Sequence, residues 1–176
     1  MRIIAGALGG RIFESPHGHR THPMSEKVRG ALFNTLGDID SLSVVDAFAG
    51  SGAISFEAAS RGASKAIAIE ADKVAQTAIK LNIASLNVSG TVTLMPSFVY
   101  SFIRRSNETF DIVIADPPYD DLQYKTLEAL VKLVKADGLL IFSLPPTARL
   151  VLPKNFKLIQ EKNYGDAMLH FYRHQV

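Results

Sequence analysis

The chain has 176 residues, 47% of them hydrophobic, and a formal net charge of +2; this fits one globular domain and excludes a disordered chain. It has no cysteine, so disulfide frameworks, thiolate metal sites and cysteine nucleophiles are excluded. No apolar run approaches the roughly 20 residues of a membrane span, and Gly9, Gly10 and Arg11 cut the N-terminal apolar run short of a secretory signal, so a cytoplasmic location is expected.

In chain order, Arg2–Ala5 and Arg11–Glu14 can pair as a hairpin around Gly6-Ala-Leu-Gly-Gly10, and Ser15–Pro23 reads as a loop rich in Pro, Gly and His. Ser25 starts a helix through about Leu36, with Val28, Leu32 and Leu36 at four-residue spacing. An alternation then begins: strand Ser43–Ala47, helix Gly52–Arg61, strand Ala66–Glu70, helix Asp72–Leu86, strand Thr91–Met95 and strand Phe110–Asp116. A helix over Leu122–Val134, with Leu127, Leu130, Val131 and Val134 on one face, precedes a buried strand over Gly138–Leu144. Phe156–Glu161 and Ala167–Arg173 are two strands joined by a turn at Tyr164-Gly-Asp. Strands alternating with helices imply an α/β, doubly wound parallel sheet, and the closing hairpin adds an antiparallel edge. Residues 1–24 form a small N-terminal extension and residues 25–176 the main domain.

The extension carries the charge pattern. Residues 1–29 hold Arg2, Arg11, Arg20, Lys27 and Arg29 against Glu14 and Glu26, together with His17, His19 and His22. A locally basic arm suits a phosphate backbone, so Arg2, Arg11, Arg20, His22, Lys27 and Arg29 are the candidate RNA contacts. The histidines are too loosely spaced, and too far from any acid cluster, to hold a metal. His170 and His174 read as structural or exposed, and Arg104 and Arg105 as a solvated helix face.

Doubly wound sheets bind ligands beyond the carboxyl ends of their strands. There Asp46-Ala-Phe48-Ala-Gly50-Ser51-Gly52 follows the first strand and opens a helix. Glycines let the backbone turn tightly and approach a ligand. The third glycine of a dinucleotide fingerprint is replaced by Ser55, and a carboxylate at Asp46 repels a pyrophosphate but attracts the ammonium of a methionine moiety. Glu70 ends the next strand, where an acid accepts both ribose hydroxyls. This set favours S-adenosylmethionine over NAD, with Asp46, Phe48, Gly50, Ser51, Gly52 and Glu70 as its contacts. After the third strand, Ser97 is placed for the adenine edge and Phe98 for its face. Ser51 does not sit in a G-x-S-x-G nucleophile elbow.

Asp116-Pro117-Pro118-Tyr119 ends the fourth strand. Two prolines cannot continue the ladder but fix φ, holding the flanking groups rigid. An amino nitrogen conjugated to a base ring is a poor nucleophile, because its lone pair is delocalised. If the Asp116 carboxylate and the Pro117 carbonyl accept its two N–H bonds, the nitrogen can pyramidalise toward a sulfonium methyl. Tyr119 offers a face on which the base stacks, and a base in a duplex must first be extruded. The chemistry implied is methylation of an exocyclic amino group on a nucleic-acid base.

Asp46-Ala-Phe-Ala-Gly-Ser-Gly-Ala, Glu57-Ala-Ala-Ser-Arg-Gly-Ala63, Glu70 and Asp116-Pro-Pro-Tyr119 resemble the bacterial small-subunit ribosomal RNA guanine-N2 methyltransferase family. Arg2-Ile-Ile-Ala-Gly6, Gly10-Arg11, Val28-Arg29 and Leu32-Phe33-Asn34 resemble it too, so the likeness covers nearly the whole chain. The tetrapeptide is shared by many amino-methyltransferases, and the N-terminal run narrows the choice. The resemblance implies a Rossmann-like, seven-stranded class I methyltransferase sheet with an antiparallel last strand and an N-terminal hairpin. It implies methylation of N2 of one guanine in 16S ribosomal RNA, in the assembled or assembling small subunit; a monomer without metal is expected besides. Asp116, Pro117 and Tyr119 would hold the guanine, and Asp46, Gly50, Gly52 and Glu70 the cofactor. Two positions depart: His22-Pro23-Met24 stands where the family typically has Arg-Pro-Thr, and no acid stands at Ser97.

Two other readings stay open. An adenine-N6 methyltransferase acting on DNA or RNA would use the same tetrapeptide, although little chain remains for a DNA target-recognition domain. A non-catalytic ribosome assembly factor would keep the fold without turnover; the intact Asp116 and Glu70 argue against it.

Overall fold

A computed structural model of the chain describes residues 1–16 and 24–176; Arg20, His22 and the other residues of 17–23 named above lie outside it. Helix α1 spans Glu26–Leu36, with the Ser25 hydroxyl accepting from Val28 N–H as its N-cap. There follow β1 (Ser43–Asp46), α2 (Ala53–Ser60), β2 (Lys65–Glu70), α3 (Lys73–Ser85), β3 (Val92–Pro96), α4 (Val99–Arg105) and β4 (Phe110–Ala115). Then come α5 (Tyr124–Ala129), a 3₁₀ turn (Leu130–Leu133), β5 (Val134–Leu144), β6 (Phe156–Asn163) and β7 (Met168–His174). The seven strands form one sheet in the order β3-β2-β1-β4-β5-β7-β6. Strands β1 to β5 pair in parallel, and β7 inserts antiparallel between β5 and β6. Chain order reverses between β1 and β4, so the ends of these two strands flank the switch point where such sheets bind ligands.

Each face of the sheet buries its own apolar layer. Val44, Ala66, Ile112 and Ile141 face the side covered by α1 to α3, and Ile3, Phe13 and Met24 of the N-terminal segment are buried in that same layer. Val45, Ile67, Val113, Leu140 and Phe142 face α4, α5 and the 3₁₀ turn. The alternation of these residues along each strand is what a sheet buried on both faces requires.

Two elements differ from the sequence reading. The single helix expected over Leu122–Val134 is α5 followed by the 3₁₀ turn, and Val134 already belongs to β5 rather than to a helix face. The strand starts before Gly138 because its first residues are bulged. The register steps from Phe110–Val134 to Ile112–Leu139, Asp137 takes a positive φ of 58°, and a Cβ on Gly138 would lie 2.9 Å from the Lys135 carbonyl. A helical period in the sequence does not register a bulge, since both bury Val134. The N-terminal hairpin closes through one antiparallel bridge, Arg2 to Ile12, flanked by Ile3 N–H to the Arg11 carbonyl (2.9 Å) and Phe13 N–H to the Met1 carbonyl (2.9 Å).

The hairpin is fixed to α2 by polar contacts. Glu57 accepts from the backbone N–H of Ile4 (2.8 Å) and Ala5 (3.1 Å), and the Ser60 carbonyl from Ala7 N–H (2.7 Å). Gly6 has φ +83°, and a Cβ there would fall 1.9 Å from the Ser60 carbonyl oxygen, so only glycine permits this approach.

Candidate active site

At the end of β1 the chain bends through Gly50 (φ 53°) and Gly52 (φ 79°) before entering α2. A side chain on Gly52 would strike the Phe56 ring at 2.8 Å. Asp46 is buried under this bend. Its Oδ2 accepts from the Ser55 N–H (3.2 Å) and hydroxyl (2.9 Å), and its Oδ1 is buried with no hydrogen-bond partner among the described residues. Burial pushes the Asp46 carboxyl up to about 7 against the opposing bonds from Ser55, and Asp116 and Glu70 add to the rise. A buried carboxylate oxygen without a donor costs free energy unless a ligand supplies one. The cationic ammonium of a methionine moiety is such a donor.

Glu70 ties the neighbouring strand end to the same bend. Its Oε2 accepts from Gly50 N–H and its Oε1 from Asp72 N–H, both at 2.7 Å. Each oxygen retains a second lone pair for a ribose hydroxyl. Ser97 sits beside Glu70 through its own N–H to the Glu70 carbonyl (3.1 Å), but its hydroxyl is turned to the Phe98 carbonyl (3.0 Å). Phe98 is 71% exposed at the start of α4, a free aromatic face at this edge. Phe48 is half-buried and Ser51 buried within the bend.

At the end of β4, Asp116 is half-buried, Pro117 buried and Pro118 exposed. Tyr119 leaves 38% of its surface free while its hydroxyl sits 3.0 Å from Ser143 Oγ. Burial raises the Asp116 carboxyl to about 6, partly offset by hydrogen bonds from the Ser143 hydroxyl and the Met24 backbone. The strand ends therefore bring the glycine bend, Glu70 and the acid-proline turn to one side of the sheet, as the spacing implied.

The candidate RNA contacts divide. Arg11 and Lys27 are exposed, and Arg2 is exposed but paired with Glu26 at 2.8 Å. Arg29 is a correction. It is wholly buried, its Nη2 donates to the Arg2 carbonyl (2.6 Å), and its Nε lies 3.7 Å from Glu57. Its position on the inner face of α1 gives it to the fold, so it cannot reach a phosphate. Arg104 and Arg105 are exposed on α4. His174 is held by the Lys135 carbonyl and by stacking on Phe156, and His170 faces Glu161 at 3.2 Å.

Sequence reasoning misses three participants: Ser55, Ser143 and the backbone of Met24. Ser55 carries a signal, since it occupies the place of the absent third glycine. Ser143 is an ordinary residue near the end of an apolar strand, and only the pairing of β5 with β4 brings it to Asp116.

The chain is similar to known proteins in sequence and in fold. The chain is 32% identical to ribosomal RNA small subunit methyltransferase D of Escherichia coli strain K12, over 100% of this chain and 91% of that protein. The Haemophilus influenzae protein of the same name is 29% identical, over 98% of this chain and 93% of that one. A solved Escherichia coli structure, yhhF, provisionally described as a methyltransferase, superposes with a TM-score of 0.88 at 29% identity, covering 100% of this chain and 98% of that one. The sheet is thus the Rossmann-like, seven-stranded class I methyltransferase fold with an antiparallel last strand. The family model described as conserved hypothetical protein 95 matches residues 1–173, and the chain belongs to that family.

Proposed function

We propose that this chain transfers a methyl group from S-adenosylmethionine to the exocyclic N2 of a guanine in 16S ribosomal RNA, within the small ribosomal subunit, acting as a monomer and without metal. The observation that carries the reading is a pair of carboxyls at adjacent strand ends: buried Asp46 beside the glycine bend, with one oxygen unpartnered among the described residues, and half-buried Asp116 before two prolines. The relatives named as ribosomal RNA small subunit methyltransferases supply the substrate class.

S-adenosylmethionine, when bound, supplies a methyl group on a sulfonium, already a good leaving group. Asp46 Oδ1 would receive its ammonium, Glu70 its ribose hydroxyls, and Phe98 and Ser97 its adenine. Gly50, Ser51 and Gly52 keep the bend free of side chains that would block it, with Phe48 closing its flank. Asp116 and the Pro117 carbonyl accept the two N–H bonds of the guanine amino group and draw its lone pair out of conjugation. They also stabilise the positive charge that grows on nitrogen. Pro117 and Pro118 hold these acceptors still, and Tyr119 carries the ring. Arg2, Arg11 and Lys27, with Arg20 and His22, would contact the RNA backbone.

The test is methylation, side by side, of small subunits, deproteinised 16S RNA and DNA, with the modified nucleosides identified by mass. N2-methylguanosine on small subunits is the expected product. N6-methyladenosine would support the adenine reading, and cofactor binding without turnover on any substrate would support an assembly factor.

A further inference from the structure

Strands β5 and β6 are joined by residues 145–155, which form neither helix nor strand. In the antiparallel register of β5 and β7, Leu144 opposes Met168, Phe142 opposes His170 and Leu140 opposes Tyr172. Directly opposed residues share a face of the sheet, and Leu140, Phe142 and Leu144 belong to the buried layer on the side of α4 and α5. His170 and Tyr172 therefore face that side, beneath the irregular segment. Between the segment and the sheet lies a cavity of about 370 Å³, whose lining includes Leu144, Arg149, Glu161, Met168, His170 and Tyr172.

The outer wall of the cavity is held in place. Ala148 N–H donates to the Pro145 carbonyl (2.9 Å), and Arg149 Nη1 to the Pro146 and Ala148 carbonyls (2.9 and 2.7 Å). Val151 N–H donates to Glu128 of α5 (3.1 Å). Among the described residues the Arg149 guanidinium makes no bond through Nε or Nη2, so these keep their hydrogens for a ligand. Across the cavity, Glu161 of β6 lies 3.2 Å from His170 Nε2. The His170 and Tyr172 rings have centroids 6.4 Å apart and planes at 21°. One rim thus offers an exposed cation, the other an acceptor, and the floor two roughly parallel rings beside apolar Leu144 and Met168. A nucleotide has the matching parts: a phosphate for an arginine, a flat base for a ring and a base edge with N–H donors for a carboxylate.

We propose that this cavity holds a nucleotide flanking the target guanine, with its phosphate on Arg149, its base against Tyr172 and His170, and an N–H edge toward Glu161. The inference rests on the RNA-methylation reading and adds a specificity site to it. The cavity opens at the carboxyl end of β5. Leu144 follows Ser143, whose Oγ lies 3.0 Å from the Tyr119 hydroxyl, so a short stretch of RNA crossing the end of β5 reaches both the acid-proline turn and the cavity. Extruding the target base also strips its neighbours of a stacking partner, and a ring that receives one of them offsets part of that loss.

The test compares wild type, Arg149→Ala, Arg149→Lys and Tyr172→Leu on small subunits from cells lacking this protein. It reads kcat, KM and the salt dependence of Kd. Arg149→Ala is expected to raise KM and Kd roughly 5-fold or more and to lower the log–log salt slope by about 0.7–0.9, with kcat within about twofold of wild type. Arg149→Lys, which keeps the charge, should retain the wild-type slope. Tyr172→Leu should raise KM and Kd roughly 5-fold or more and leave the slope unchanged, because it removes a ring and no charge. Should Tyr172→Leu fail to fold, as read by its urea midpoint, His170→Leu carries the ring arm with the same expectation. Wild-type KM and slope in Arg149→Ala would overturn the site, as would an Arg149→Lys slope as low as that of Arg149→Ala. A fall in slope in Arg149→Ala with wild-type affinity in the ring variant would mean that only the RNA backbone passes the rim, and would overturn the nucleotide site while methylation stands. A wild-type protein that binds small subunits without methylating them would overturn the underlying reading, and the Kd values and slopes would still decide the cavity.

Discussion

Asp46 and Glu57 are two buried carboxylates that both touch α2, and their surroundings are opposite. Glu57 is saturated. It accepts from Ile4 and Ala5 N–H, from Arg61 Nε at 2.8 Å, and lies 3.7 Å from Arg29 Nε. Asp46 has Ser55 on one oxygen and nothing among the described residues on the other. A buried charge survives only when paired, so a filled shell marks a structural acid and a half-empty one marks a place for a ligand's donor. The comparison extends to the arginines: Arg29, which the sequence suggests as an RNA contact, is engaged by Glu57, whereas Arg11 and Lys27 stay exposed.

The largest effect that tests this contrast is on turnover. Asp116→Ala should reduce kcat by at least about 10²- to 10⁴-fold, the usual reach of a positioned acid-base group, with cofactor binding by calorimetry close to wild type. Full activity would end its assignment. For the saturated acid the effect is on stability. Glu57→Ala leaves Arg29 buried without its counterion and should cost about 3–5 kcal/mol, the usual penalty for breaking a buried pair, read as a lower urea midpoint. A midpoint unchanged from wild type would mean that Glu57 does not hold the N-terminal hairpin.

Asp46→Asn should weaken S-adenosylmethionine binding by roughly 10-fold or more, as expected when a charge-assisted partner is removed, and should leave thermal stability nearly unchanged or raised. Its pH dependence is the sharper signature. With the carboxyl raised to about 7, the ligand-free protein is increasingly protonated there as pH drops below that value, whereas an ammonium selects the ionised form. Wild-type affinity should therefore fall as pH drops through about 7, and Asp46→Asn should flatten that fall. The smallest effect belongs to the surface. Arg11→Ala and Lys27→Ala should each lower the salt dependence of RNA binding by about 0.7–0.9 in log–log slope for every phosphate no longer neutralised. Arg2→Ala should lower it by less, because Arg2 is already paired with Glu26.

What is legible in the sequence follows from how local each signal is. The glycine bend, Glu70 and the Asp116-Pro-Pro-Tyr119 turn are each contiguous with a strand end, and strand–helix alternation is enough to bring strand ends to one side of a sheet. Ser25 and Asp72 mark helix starts by capping chemistry that a single residue carries. Ser143 and Met24 carry no such mark, because their role arises from the register of β5 on β4 and from where the N-terminal segment returns to the sheet. Arg29 departs from the sequence reading for a related reason. Charge composition counts residues, and the side of α1 on which an arginine falls is settled by Glu57 across a tertiary contact. The bulge at Asp137–Gly138 is hidden by an apolar spacing that a helix and an irregular strand share.

The most direct measurement of the central claim is a crystal structure of this protein with S-adenosylhomocysteine. The expected result has its amino group on Asp46 Oδ1, its ribose on Glu70 and its sulfur facing the Asp116-Pro117 turn. A well-ordered ligand bound elsewhere, or one that leaves Asp46 Oδ1 without a donor, would contradict the assignment of these two strand ends as the methyl-transfer site.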